Sequence, residues 1–366
     1  MLRAFRPLRF VQTLALAVAV VGAAMVGGLA PARATGRSDL AIFPGHVTLT
    51  GTVDSPSGAP QAGAFVGLGS ATGRTNSDGQ FSLTLPLARS VPGFMWAPGA
   101  VYQSFTYGLT WLNSGVQTAE LPAFHLSSVF TNPFFPATLS GLQALSPPSP
   151  QTARIHGWSK YALGGQVYVT RPSGWVHTYP MSSNGGHYWA DVPFGPVGQY
   201  QVEILAANGL ELFSVPTFHG VQPSLPTGPK FPQDPRNLDQ AGLARFVLGL
   251  VDQFRSGMGL AAMRMPEKLR LVAFRHTQEM AVDGYYYTHP HVGANGSTLG
   301  DRLRHGGVNC RAAGEDIAAA ATIGQTLDSL LLSPAHRQVL EGRFGRLGAG
   351  VARWRNLWVL TLDFCR

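Results

Sequence analysis

Charge is what this sequence has least of. Only 13% of its 366 residues are Asp, Glu, Lys or Arg, about half the share in an ordinary soluble domain. That level is low for a cytosolic enzyme and usual for β-rich domains whose turns are made by glycine and proline. No run of Lys and Arg interleaved with aromatic residues occurs, which excludes the footprint of a nucleic-acid binder. The formal charge of +8 is unevenly spread. Four Arg fall in the first 34 residues, residues 35–236 balance eight basic against eight acidic groups, and residues 237–366 hold 15 basic against 11 acidic. A weakly basic last third suits acidic wall polymers or lipid headgroups. Also missing are HExxH, GxSxG and any nucleophile and base at local spacing, so no local motif signals an enzyme.

Cysteine is nearly absent too. The two present, Cys310 and Cys365, both lie in the last third. In an oxidising compartment such a pair reads as a disulfide; a zinc or redox pair, the alternative, would need CxxC spacing or adjacent His ligands. Long apolar runs are confined to the N-terminus. There Arg3, Arg6 and Arg9 precede an apolar stretch from Val11 to Ala30 and an Ala32-Arg33-Ala34 cleavage box, the three regions of a secretory signal peptide over residues 1–34. An uncleaved anchor is the alternative, since about 20 apolar residues just span a bilayer. With cleavage, the mature chain keeps no integral membrane segment and is expected outside the cell or in the envelope.

What is abundant is Gly (44) and Pro (27), with 45% hydrophobic residues over a length that suggests two or three domains. From His46 apolar residues alternate with polar ones, broken by Ser57-Gly58 and Asp78-Gly79. That period of two, with turns every eight to twelve residues, predicts a small β-sandwich over 46–143. The pattern G-x-V, then G-x-P-x-x-G-A-x-V, then T-x-S-D-G-x-F-S-L resembles the carboxypeptidase-regulatory or transthyretin-like module. A Pro/Ser-rich linker at 144–152 precedes a second all-β module at 153–221, with hairpin turns at Asn184-Gly185 and Asn208-Gly209. His177, His187 and His219 lie there at no metal-ligand spacing. A second Pro-rich linker follows at 222–236.

Beyond Arg236 the period changes to that of helices. Leu243, Phe246, Val247, Leu250, Val251 and Phe254 form one stripe. Pro266 opens a second helix carrying Leu269, Val272, Ala273, His276 and Met280. Another helix runs from about Ile323 to Leu332, Ser333-Pro334 starts a short one, and Leu357 to Phe364 reads as a strand. Two all-β sandwich-like modules followed by an α/β/α sandwich at 237–366 is the fold expected.

Residues 237–366 also carry A-x-x-H-x-x-x-M at Ala273–Met280, Y-T-H at Tyr287–His289, G-x-x-x-G-D-R at Gly296–Arg302, G-E-D-I at Gly314–Ile317, S-P-A-H-R at Ser333–Arg337 and F-x-x-L-G-x-G at Phe344–Gly350. In order and spacing this series resembles the short bacterial branch of the CAP superfamily, the SCP-like extracellular domain of the cysteine-rich secretory and pathogenesis-related proteins. The resemblance implies a cavity lined by His289, Glu315 and His336. The family's second Glu falls at Ser333, reducing a tetrad to a triad; Asp316 replaces an Asn and Leu330 a Trp. Two imidazoles and a carboxylate in one cleft can hold zinc or another divalent ion, act as an acid/base pair, or simply tie the cavity together by hydrogen bonds. His291 is a candidate substitute for His289, His276 reads as a core residue, His305 as a surface one, and the Asn295-Gly296-Ser297 sequon as a turn. The function expected is a non-enzymatic extracellular or envelope binding protein for an apolar or anionic ligand or an envelope component. A metal-dependent hydrolase and a surface adhesin are the alternatives.

Overall fold

The computed structural model describes residues 46–366 apart from 87–89, 99, 101, 109–117, 122, 133–134, 143–150, 225–230, 232–233, 236 and 286–288. The signal-peptide expectation falls outside these residues.

The first module stacks two sheets. Strand β1 (His46–Asp54) buries Val47, Leu49, Gly51 and Val53 on alternate positions. Strands β2 (Phe65–Leu68) and β3 (Ala71–Arg74) follow, then β4 (Gln80–Pro86), which pairs antiparallel with β1 so that Leu83 lies opposite Leu49. Strands β5 (Ser90–Trp96) and β6 (Gln103–Gly108) complete the sheet β3-β2-β5-β6, while β7 (Thr118–Glu120) and β8 (Phe124–His125) run parallel to β1. The inward rows of both sheets, among them Leu49, Val66, Leu68, Phe81 and Met95, form one core.

The second module takes more of the chain than expected. Strands β9 (Phe130–Thr131) and β10 (Ala137–Ser140) join β11 (Gln151–Ser159), so the Pro/Ser-rich stretch connects two strands of one sheet. The alternation of buried Ala137 and Leu139 with half-buried Thr138 and Ser140 suits a place in that sheet. Next come β12 (Leu163–Thr170), β13 (Val176–Pro180), β14 (Ser182–Asn184), β15 (His187–Phe194), β16 (Gly198–Ala206) and β17 (Glu211–His219). Sheets β14-β15-β11-β10-β9 and β13-β12-β16-β17 enclose a core that includes Tyr188, Phe194, Tyr200 and Ile204. The hairpin from β14 to β15 turns on Gly185 and Gly186, both at positive φ (59° and 83°).

The C-terminal domain begins with α1 (Gln240–Gly257), capped by the Asp239 carboxylate accepting from the Gly242 N–H at 2.7 Å. Helix α2 (Glu267–Asp283) starts after Pro266 and ends on Gly284 in the left-handed region (φ 70°). Helix α3 (Leu299–His305) opens on a Thr298/Asp301 capping box. Strand β18 (Ala313–Ala320), helices α4 (Ile323–Leu332) and α5 (Pro334–Leu340), and strands β19 (Arg346–Trp354) and β20 (Leu357–Cys365) complete it. The antiparallel sheet runs β18-β20-β19.

Helices cover both faces of this sheet. Odd positions of β18, with Val359 and Cys365 of β20, meet α2 and α3. Leu360, Leu362 and Phe364, with Ala318, meet α1, α4 and α5. The two glycines of the L-G-x-G motif are explained by the first contact: a Cβ on Gly348 or Gly350 would stand 2.4 Å from the carbonyl oxygen of Leu269 or Ala273, so α2 lies backbone to backbone on β19. Cys310 and Cys365 are joined, with Cα atoms 5.3 Å apart. Part of the expected linker is also held: the Asp234 carboxylate accepts from the Ile323 N–H (2.8 Å) and Trp358 Nε1 (2.6 Å).

Candidate functional site

The odd face of β18 carries Glu315, 5% exposed. Its Oε1 accepts from His291 Nδ1 at 2.8 Å and its Oε2 from Arg302 Nη2 on α3. Arg302 Nη1 also donates to the carbonyls of His291 (3.2 Å) and Ser297 (3.0 Å), fixing the loop that presents His291. His276, on α2, approaches Glu315 Oε2 at 4.0 Å and donates from Nε2 to the Pro290 carbonyl at 2.6 Å. Tyr285 and the Ala294 N–H are held by Glu279, at 2.8 and 3.0 Å. Burial alone would push the Glu315 carboxyl up, but Arg302, His291 and His276 together hold it at about 2. Asp363, directly across the sheet from Glu315, is pushed well above the carboxylate range by burial and by Glu315's charge.

The even face carries Asp316, and beyond it α5. Ser333 caps α5 and its Oγ lies 2.8 Å from His336 Nδ1. The position that the CAP resemblance assigns to a second Glu does meet a carboxylate, but from another domain: Glu203 of β16 accepts from Ser333 Oγ and from the Ala335 N–H, each at 2.6 Å.

The expected residues therefore divide. Glu315 faces α2, whereas His336 sits on α5 with the core of the opposite face, because consecutive strand residues point to opposite sides. Glu315 is bonded to His291 and Arg302, and His336 to Ser333, in clusters on opposite faces of the sheet. His289 is exposed and stacks on Tyr285 (centroids 4.9 Å apart, planes at 7°). His291, two residues on, holds Glu315 instead. Tyr287 and Thr288 of the Y-T-H motif lie outside the described residues.

A divalent metal does not fit the Glu315 cluster. The Arg302 guanidinium already neutralises the carboxylate, and its charge opposes a second cation there. Among the described residues no group of three or more His, Cys, Asp or Glu side chains is disposed to hold a metal ion. Nor is any helix among them long and apolar enough to cross a membrane.

The site geometry defines a chain of two β modules followed by a helix-covered antiparallel sheet with buried polar clusters on both of its faces. No family model matches the chain. The uncharacterized membrane protein YlbC of Bacillus subtilis is 33% identical over 109 residues, 29% of this chain and 31% of that protein, so the match spans about a third of the relative's length. A crystal structure of an extracellular protein containing an SCP domain from Bacillus anthracis is similar at 20% identity, over 65% of this chain and 88% of that one, with a TM-score of 0.32. A cysteine-rich secretory protein from Staphylococcus aureus is similar at 12% identity, over 63% and 83%, with a TM-score of 0.29.

Proposed function

We propose that the chain is a secreted, CAP-like extracellular or envelope binding protein without catalytic activity. One observation carries this reading: the acid and imidazole groups a hydrolase would need are buried and engaged by protein groups. Glu315 is 5%, His291 6% and His336 0% exposed. A general base must reach its substrate's proton directly or through one water, and the Glu315 carboxylate is occupied on both oxygens. The motif series of the last third and its helix-covered sheet support the CAP-like assignment. The apolar N-terminal segment and the disulfide support export.

The adhesin reading draws on a separate observation. The outer face of β11 and β15 pairs Trp158 with His187 and His156 with Trp189. The two indoles are 38% and 39% exposed. Exposed aromatic residues set among polar ones are the usual anchors of a recognition surface.

The test uses the full mature chain. It is incubated with isolated cell-envelope material and, separately, with a denatured protein substrate, with and without EDTA. Co-sedimentation with the envelope and no EDTA-sensitive hydrolysis is the expected result. EDTA-sensitive hydrolysis that Glu315→Gln abolishes would overturn the proposal in favour of a metal-dependent hydrolase.

A further inference from the structure

One sheet of the second β module turns a flat field of aromatic and polar side chains to solvent. The pairing register sets two rows across the neighbouring strands β14, β15, β11 and β10. In one row His187 stands between Trp158 and Asn184; in the other His156 stands between Trp189 and Ser140. The two indoles therefore lie on the diagonal of a cross-strand square, with Cβ atoms about 7 Å apart by that geometry. They are 38% and 39% exposed. Tryptophan is well buried on average, and two this open on one face mark a surface kept for contact. Their surroundings are built to hold them. Gly186, at positive φ (83°) in the turn between β14 and β15, leaves room for Trp158: a Cβ there would stand 2.8 Å from the indole Nε1. His156 Nδ1 donates to the Arg154 carbonyl at 3.2 Å, which leaves Nε2 as the acceptor of the neutral ring. Next along the strands, Arg154 and Asp191 close on each other through two bonds of 2.9 Å.

We propose that this face is a glycan platform: a neutral polysaccharide lays the C–H faces of two sugar rings on Trp158 and Trp189 and its hydroxyls on His156, His187 and Asn184. The proposal names the ligand class for the adhesin reading above and rests on it. Three properties of the face select this ligand. A sugar ring has an apolar C–H face, slightly positive, that is attracted to the negative face of an indole. Its hydroxyl rim both donates and accepts, as do the imidazoles, the amide and the serine hydroxyl beside the indoles. The third property is charge. Besides histidine, the four strands carry one cationic side chain, Arg154, and it is already paired with their one acid, Asp191. An anionic polymer or a lipid headgroup therefore finds no unpaired cation on the face to attract it. A protein interface sets its aromatic anchors in an apolar core, whereas these two rows hold no aliphatic side chain around the indoles.

The test takes the full mature chain and isolated cell-envelope material that has been digested with protease and extracted with organic solvent, so that its polysaccharide remains. The same material after periodate, which cleaves vicinal diols, is the comparison. In parallel, affinity electrophoresis follows the chain through gels that contain soluble neutral glucans, mannans or galactans, or an acidic polysaccharide. The expected result is binding that survives protease and solvent, is lost after periodate, and is matched by retardation in at least one neutral polysaccharide. Trp158→Ala or Trp189→Ala should weaken that retardation about tenfold or more with unchanged thermal melting, and Trp158→Tyr, which keeps an aromatic face, should retain most of it. Retardation by the acidic polysaccharide alone, or by a neutral one equally in both Ala variants, would overturn the proposal. Envelope binding that needs both indoles yet resists periodate overturns the glycan platform and leaves the adhesin reading standing; binding to neither envelope nor any gel overturns both. Should the variants not fold, oxidation of the wild-type indoles by N-bromosuccinimide, mapped by mass spectrometry, decides. Protection of Trp158 and Trp189 by a neutral polysaccharide supports the platform, and equal oxidation with and without it refutes it.

Discussion

Glu315 and Asp316 are neighbours on one strand, equally buried, and opposite in electrostatic character. Glu315 is held at about 2, whereas Asp316 is pushed well above the usual range. Burial is 5% exposure for one and 0% for the other, so depth does not separate them. Partners do. The α2 face answers Glu315 with Arg302 and His291, while Asp316, turned to the α5 face, feels the charges of its strand neighbour Glu315 and of Glu203. Glu315 is thus a compensated charge, whereas Asp316, and Asp363 across the sheet from Glu315, favour the proton.

The α2 face is also closed covalently, and removing that closure should cost most. Replacing Cys310 and Cys365 by Ser should destabilise the C-terminal domain by about 4 kcal/mol on the chain-entropy account of a loop this long, read by urea denaturation. Arg302→Ala should follow at about 3 to 4 kcal/mol, because it strands a buried carboxylate. Urea denaturation at neutral pH would show it, and a loss near zero would mean that Arg302 does not compensate Glu315.

The two acids should then differ in their pH dependence. Glu315, depressed from 4.5 to about 2, contributes stability above its unfolded value that is lost as pH falls towards 2. Glu315→Gln should flatten the acid limb of the stability curve. Asp316, raised, contributes stability at low pH that is lost as pH rises through its folded value. Asp316→Asn should therefore stabilise at pH 8 and have little effect at pH 4, read by thermal denaturation at both values. Ser333→Ala removes the α5 cap and the hydroxyl shared by Glu203 and His336, and should cost about 1 to 3 kcal/mol, measured by the same melts.

The alternation on β18 was legible in the G-E-D-I run. Once that run is a strand, Glu315 and Asp316 must face opposite ways, and any residue of α5 can approach only one of them. The L-G-x-G glycines were legible in the same way, as sites of close backbone approach. Helix α3 was not among the helices expected, although Thr298 and Asp301 stand at capping-box spacing in the sequence. His291 could not be preferred to His289, because the segment between Tyr285 and Gly293 has no period to fix which ring turns inward. Glu203 carried no signal at all. It lies 130 residues before Ser333, in a different module, and reads locally as one polar residue in a β run.

The central claim is that Glu315 is neutralised by this chain's own cations and does not serve as a metal ligand. Elemental analysis of the full mature protein, purified without a His tag and exposed to zinc before exhaustive buffer exchange, tests it most directly. The account predicts no stoichiometric divalent ion in the wild type. One equivalent of metal, lost in His289→Ala or Glu315→Gln, would contradict it.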